Sequence, residues 1–362
     1  MRQLRWDPCV VQDAADFDIF LREYINRPKR RCLIVGGAGF DPRATILPEK
    51  FSRTLQCDQV GLFFREERIL DQPLLRPCAD KNESIIAKLI PESTFPRIDI
   101  FADGVTAVGG RRALQEMTDI NFADFTDIFV DISALSCGVF YSIVSYLVTI
   151  CDRLGAPGPN VHLLAAEQPH FDHQIRGVPA DTASMLHGFK GQRSLDGSDS
   201  EALLWIPTLS VGHRDSLAKI YQFIQRTDSP IDVCPIVPFP GRDPRLPDLL
   251  VEEYCEQLPT WRVDHRNFLY SSEGDPLDSY RTISALVESR TQLFQDLDGS
   301  QVVLSPLGNK MMSVGAMLAA IEKNLPVAMV ESIGYDENWS TQEACNETAL
   351  RHVWLCGEAY LR

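Results

Sequence analysis

The amino-acid sequence predicts an α/β protein, a mostly parallel sheet flanked by helices, with length enough for one large domain or two consecutive α/β halves. Three observations carry this expectation. Short apolar, β-prone runs alternate with stretches of helical periodicity through both halves of the chain, the βαβ rhythm of parallel strands with helices on both faces. Three of those runs end in glycine, serine or aspartate before a helix begins. The 362 residues, 44% hydrophobic and 23% charged, are ordinary for a globular chain and suffice for a sizeable core.

Residues 17–25 place Phe17, Phe20, Leu21 and Tyr24 at helical spacing, so a short amphipathic helix opens the chain. The run 31–35 then feeds a glycine-rich turn, Gly36-Gly37-Ala38-Gly39-Phe40, closed by Asp41-Pro42 as N-cap and first helical residue. Helices are expected at 47–55, at 84–90 (capped by Asn82 or Ser84 and stopped by Pro91) and at 110–117, with strands at 59–65 and 97–101. The run 127–132 is an apolar strand carrying Asp131, followed by Ser133 and Ser136. Val139, Phe140, Ile143, Val144, Leu147 and Ile150 then recur as a buried helix ending near Gly155. A strand at 161–166 completes a first half, 1–166. The Gly-, Pro-, Asp-, His- and Ser-rich stretch 167–201 reads as a long loop or linker.

The second half, 202–331, resumes with strands at 202–207, 231–238 and 267–270 and helices at 213–226, 247–257 and 277–295. A buried strand at 301–305 ends in Ser305-Pro306, and Gly308-Asn309-Lys310 opens a helix to about Lys323. The last strand falls at 326–331, and 332–362 reads as a covering segment.

The net charge of −15, from 35 basic and 50 acidic side chains, disfavours a general electrostatic grip on nucleic acid. Arg27, Lys29, Arg30 and Arg31, and the pair Arg111 and Arg112, read as solvated surface. The start lacks the apolar region of a signal peptide, and the longest apolar run, 138–151, is short for a bilayer span, so a cytoplasmic protein without a membrane segment is expected. Ten cysteines contain no Cys-x-x-Cys pair; Cys32, Cys151 and Cys234 lie inside apolar runs and read as reduced, buried thiols. The sequons at Asn82, Asn338 and Asn346 are then chance matches.

Ligands of an open parallel sheet gather outside the carboxyl ends of its strands. The three polar strand ends would, if they converge on one rim, offer backbone amides from Gly36, Gly37 and Gly39, positive charge from Arg43 and Lys310, hydroxyls from Ser133 and Ser305, the turn at Gly308, and carboxylates from Asp41 and Asp131. Such a site suits a nucleotide or another phosphate-bearing ligand. The motif is incomplete as a dinucleotide fingerprint: position 42 is proline where glycine belongs, and Glu66 or Glu67 meets the ribose-binding acid only loosely. It also lacks the Gly-Lys-Ser/Thr of NTPase phosphate loops, and no Gly-x-Ser-x-Gly elbow is present. His170, Asp172 and His173 cluster without the spacing of a metal site; His213 and the turn 272–276 read as a helix-start residue and a helix cap.

Gly-Gly-Ala-Gly-Phe-Asp-Pro-Arg, Val-Asp-Ile-Ser-Ala-Leu-Ser and Ser-Pro-Leu-Gly-Asn-Lys together resemble the Rossmann-type domains found as companions or effectors in bacterial anti-phage defence systems, over about residues 31–331. The resemblance implies a Rossmann-like fold and a nucleotide-related role in a multiprotein system, and transfers no catalytic residues. The leading expectation is a sensor or accessory subunit working with a protein partner or as a homo-oligomer. The alternatives are an enzyme transferring or hydrolysing a nucleotide or sugar-phosphate group through Asp41 or Asp131, and a scaffold that binds no ligand.

Overall fold

A computed structural model describes residues 3–155, 158–168, 175–191, 202–225, 231–295, 300–337 and 348–360. Two compact units divide the chain: Pro8–Val178 with Ser332–Arg362, and Met1–Asp7 with Pro179–Glu331. In chain order the first, large-sheet unit contributes β1 (Val10–Gln12), α1 (Ala14–Phe20), β2 (Arg31–Gly37), α2 (Ile46–Thr54), β3 (Asp58–Glu67) and α3 (Arg76–Leu89). It continues with β4 (Ser93–Thr94), β5 (Arg97–Asp99), α4 (Gly109–Glu116), β6 (Asp127–Asp131), α5 (Cys137–Leu154) and β7 (Asn160–Glu167). The second unit follows with β8 (Ala202–Pro207), α6 (Arg214–Ile224), β9 (Ile231–Val233), β10 (Ile236–Pro238), α7 (Leu246–Glu253) and β11 (Leu269–Ser271). Then come α8 (Pro276–Leu293), β12 (Ser300–Ser305), α9 (Lys310–Lys323) and β13 (Ala328–Met329), after which the chain returns to the first unit with β14 (Ser332–Tyr335) and β15 (Ala349–Cys356).

The large sheet has eight strands in the order β1-β15-β7-β6-β2-β3-β4, with β5 also paired to β3. It is mostly parallel but mixed, because β15 runs antiparallel to both of its neighbours. In the second unit β9, β8 and β12 form a parallel sheet, β10 and β11 a parallel pair, and parallel bridges at Thr208–Ile236 and Leu304–Val327 extend the order on each side. Both units share one arrangement. The strand that opens each set, β2 or β8, has the next strand on one side and the strand after two further crossovers, β6 or β12, on the other.

Strands of the large sheet are buried on both faces, as a parallel sheet under helices must be. On one side Cys32, Ile34, Phe63, Phe129 and Leu164 meet Phe17 and Phe20 of α1, Leu47 and Phe51 of α2, and Ile86 of α3. One residue along, Leu33, Val35, Ile128 and Val130 point the other way and are buried as well. Helix α5 buries Val139, Phe140, Ile143, Val144 and Leu147, so its apolar length is that of a core helix, although by composition it would also pass for a membrane span.

Several expectations are corrected. Helix α3 starts at Arg76, with Pro77 in its first turn, so Asn82 lies inside the helix and is no cap. The strand expected at 231–238 is broken into β9 and β10 at Cys234-Pro235, where proline has no N–H to give a ladder. The stretch 332–362 is not a mere cover: it supplies β14 and β15, the latter inside the large sheet. The stretch 167–201 contains short strands at Gly177–Pro179 and Ser184–Met185.

Helices α8 and α9 of the second unit cross at Gly315, where an added Cβ would stand 2.2 Å from the Pro276 carbonyl oxygen and 2.6 Å from Ser279 Cβ. In a free helix Gly→Ala stabilises by up to about 1 kcal/mol. Here the sign reverses. Gly315→Ala is expected to destabilise by about 1–3 kcal/mol, read from the midpoint of urea unfolding.

Candidate functional site

The glycine loop leaves β2 at the point where strand order reverses, between β2 and β6. Gly36 packs under Phe63 and beside Asp131, each 3.2–3.4 Å from the position of a Cβ. Gly37 is tighter still: a Cβ there would sit 2.6 Å from the Ala134 carbonyl oxygen, so only glycine lets the loops after β2 and β6 touch. Gly39 faces open space: beyond its chain neighbours, no atom of a described residue lies within 4 Å of where a Cβ would stand. Beside it, Phe40 meets the ring of Tyr335 edge-on at 4.8 Å.

Asp41 caps the turn as expected, its Oδ1 accepting from Arg43 N at 2.9 Å. The same carboxylate also receives the Arg43 guanidinium as a fork, Nε to Oδ1 at 3.0 Å and Nη2 to Oδ2 at 2.7 Å. Both residues are buried. Arg43 therefore brings no net positive charge to the loop, which corrects the expectation of an anion-attracting guanidinium. From below, Asn82 Nδ2 of α3 donates to the carbonyls of Gly39 at 2.8 Å and Asp41 at 2.9 Å. Arg65, at the end of β3, anchors that helix through Asp80 and Glu83 at 3.0 and 2.8 Å.

The loop after β6 is shaped by its own polar groups. Asp131 Oδ1 accepts from Ser133 N at 2.9 Å, and Ser133 Oγ accepts from Ala166 N at 2.8 Å, tying the turn to β7. Glu66 Oε1 receives Ser136 N at 2.9 Å at the start of α5, and its other oxygen holds Arg68 at 2.7 Å. Glu67 pairs with Arg97 at 3.2 Å. Gly36, Gly37, Gly39, Asp41, Arg43, Asp131 and Ser133 thus share one rim of the large sheet.

Ser305, Gly308 and Lys310 do not share that sheet. They follow β12 of the second unit, so the expectation of three turns on a single sheet is corrected. Ser305 Oγ accepts from Trp205 Nε1 at 2.9 Å, Gly308 takes φ +110° against Ser210, and Asn309 caps α9 through Met311 N at 2.7 Å. His213 stands at the N-cap of α6, and burial lowers its pKa against the opposing charge of Glu253. Asp275 caps α8 through Leu277 N at 2.9 Å, as read for the 272–276 turn. The cluster of His170, Asp172 and His173 lies outside the described residues; among those described, no group of His, Cys, Asp and Glu could hold a metal ion.

At the opposite ends of the same strands lies a buried polar chain that sequence reasoning missed. Asp127, at the start of β6, receives Asn160 Nδ2 at 2.9 Å, Thr126 Oγ1 at 2.7 Å and Arg30 Nη1 at 3.3 Å. Arg30, expected on the solvated surface, is drawn in between Asp127 and Glu358. His162 Nε2 lies 3.3 Å from Asp127, His162 Nδ1 3.0 Å from His352 Nε2, and His352 Nδ1 2.7 Å from the Gln12 amide oxygen Oε1. The chain crosses four adjacent strands, β1, β15, β7 and β6. Its one signal in the sequence is a histidine between Val161 and Leu163 and a second one, His352, that opens onto the apolar run Val353-Trp354-Leu355.

Burial lowers the pKa of both imidazoles, in His162 against the bond to Asp127 and in His352 together with the charge of His162. Burial opposes the Asp127 carboxylate too, yet the bond from His162, with help from Thr126 and Arg30, holds it below its ordinary range. Gln12 Oε1 can only accept, so His352 Nδ1 donates to it, and in the neutral ring His352 Nε2 is left to accept from His162 Nδ1.

Two outcomes follow. Asn82→Ala removes a donor from two carbonyls of the glycine loop and is expected to cost about 2 kcal/mol of stability in urea unfolding. Because the folded histidine pKa values lie below 6.5, the unfolded chain binds more protons under mildly acid conditions. Stability is then full above about pH 6.5 and falls as pH drops, by up to about 1.4 kcal/mol per pH unit for each proton. His352→Gln should flatten this slope in melting curves recorded from about pH 7.5 to 5.5.

No family model matches this chain, and no curated protein matches it in sequence.

Proposed function

We propose that this protein binds a small phosphate-bearing ligand, a nucleotide or sugar phosphate, at the glycine-loop rim of the large-sheet unit, and serves as a sensor or accessory subunit beside a protein partner or a second copy. The observation that carries this reading is the reversal of strand order between β2 and β6, with the two departing loops in contact there and Gly39 open. A Rossmann-like reading of the large sheet places ligands at that point. The neutral Asp41–Arg43 pair leaves recognition of the phosphate to backbone amides rather than to a side-chain cation. The accessory role is preferred to a catalytic one because Asp41 and Asp131, the carboxylates named for acid–base work, each shape their own turn. A cytoplasmic setting and a place in a multiprotein anti-phage system rest on the resemblance of the three motifs.

Gly39 provides the test, since its φ is ordinary and its Cβ position is open. A thermal-shift screen of nucleotides and sugar phosphates should find a ligand that adds about 2.7 kcal/mol of stability at a hundredfold excess over its dissociation constant. Gly39→Val should leave the unliganded melting temperature unchanged and abolish the shift. An unresponsive wild-type chain, or an equal shift in the variant, refutes the proposal.

A further inference from the structure

The residues that carry the glycine loop are bracketed by two cysteines. Cys32 is the second residue of β2 and Cys57 immediately precedes β3. The strands run parallel with Cys32 opposite Gln59, so Cys57 lies just upstream of that partner, and the two sulfurs are 3.3 Å apart. Cys32 is fully buried, whereas Cys57 is half-buried between exposed Gln56 and Asp58. The approach of Cys57 is pinned by Asn26, whose Oδ1 accepts from Gln56 N at 3.0 Å and whose Nδ2 donates to Thr54 O at 2.8 Å.

We propose that Cys32 and Cys57 form a reversible dithiol–disulfide switch, oxidised by a small-molecule disulfide of the glutathione class. The sulfur–sulfur contact lowers the Cys57 pKa and raises that of Cys32, as a Cys32 S–H donating to a Cys57 thiolate would, while burial and the charges of Asp127 and Asp58 oppose ionisation of Cys57. Cys57, the sulfur that solvent reaches, is therefore the attacking thiolate. It bonds to one sulfur of the small disulfide and expels the other half as a thiolate, which takes up the proton that Cys57 lost. Cys32 then attacks the Cys57 sulfur and expels the second half, which takes up the proton that Cys32 loses and leaves as a thiol, leaving the Cys32–Cys57 bond. Two protein thiols are oxidised, one small disulfide is reduced to two thiols, and an excess of reduced thiol reverses both steps. The closed ring contains the glycine loop, the Asp41–Arg43 pair and α2, so oxidation ties together both ends of the crossover on which that rim is built.

The test equilibrates the full chain in buffers of graded glutathione and glutathione disulfide, traps free thiols with iodoacetamide and maps peptides by mass spectrometry. The expected result is a Cys32–Cys57 linked peptide lighter by two hydrogens, appearing in a single two-electron transition and lost on adding excess glutathione. Cys32→Ala should stop at a glutathione adduct on Cys57, and Cys57→Ser should leave Cys32 unmodified. Hydrogen exchange over Ile46–Thr54 should slow in the oxidised wild type. The proposal is overturned if wild type keeps both thiols free where an ordinary dithiol is oxidised, if either links to a different cysteine, or if exchange over α2 is unchanged in the linked form.

Discussion

A backbone contact too close for any side chain organises the large-sheet unit. At Gly37 the chain leaving β2 presses on the Ala134 carbonyl, and even a methyl group would intrude to 2.6 Å. Because parallel strands under two helical layers have no exposed face, their ends are where polar chemistry can reach solvent. The Gly37–Ala134 contact joins two such ends at the reversal of strand order. The surrounding bonds maintain that junction: Asn82 holds the loop carbonyls, Asp41 folds the turn onto Arg43, and Ser133 ties the second loop to β7.

The two ends of this sheet answer the cost of polar burial differently. At the glycine-loop rim, opposite charges within two residues neutralise one another, a local device that leaves the backbone as the recognition element. At the far end, Asp127 is compensated by Arg30 and by a relay of neutral imidazoles drawn from distant segments. The second arrangement needs β1, β6, β7 and β15 in register together. It therefore reports on the integrity of the whole sheet in a way the first does not.

Local features were legible in the sequence and distant ones were not. The Asp41 cap, the strand before it and the periodic helix after Ser136 all follow from residues within a few positions of one another. That Asp41 also neutralises Arg43 was hidden, because a single carboxylate plays both parts. Asn82 was misplaced as a cap because the first turns of α3 are mostly polar and give no apolar rhythm from which to find its start. The strand β15 and the His162–His352 contact join residues nearly two hundred positions apart, and no periodicity encodes that pairing. Likewise, the run ending in Ser305 looks like the runs ending in Gly37 and Asp131, but its sheet is set by its partner β8.

The insertion of β15 between β1 and β7 also constrains how the molecule is made. During synthesis the ribosome releases β1 to β7 first, then the whole of the second unit, and only afterwards Ala349–Cys356. Until that segment emerges, β1 lacks its strand partner and the edge of β7 stays open, with His162 Nδ1 lacking the His352 ring. A nascent chain therefore carries an unpaired strand edge throughout translation of the intervening residues, the kind of margin that invites mispairing until the last strand closes it.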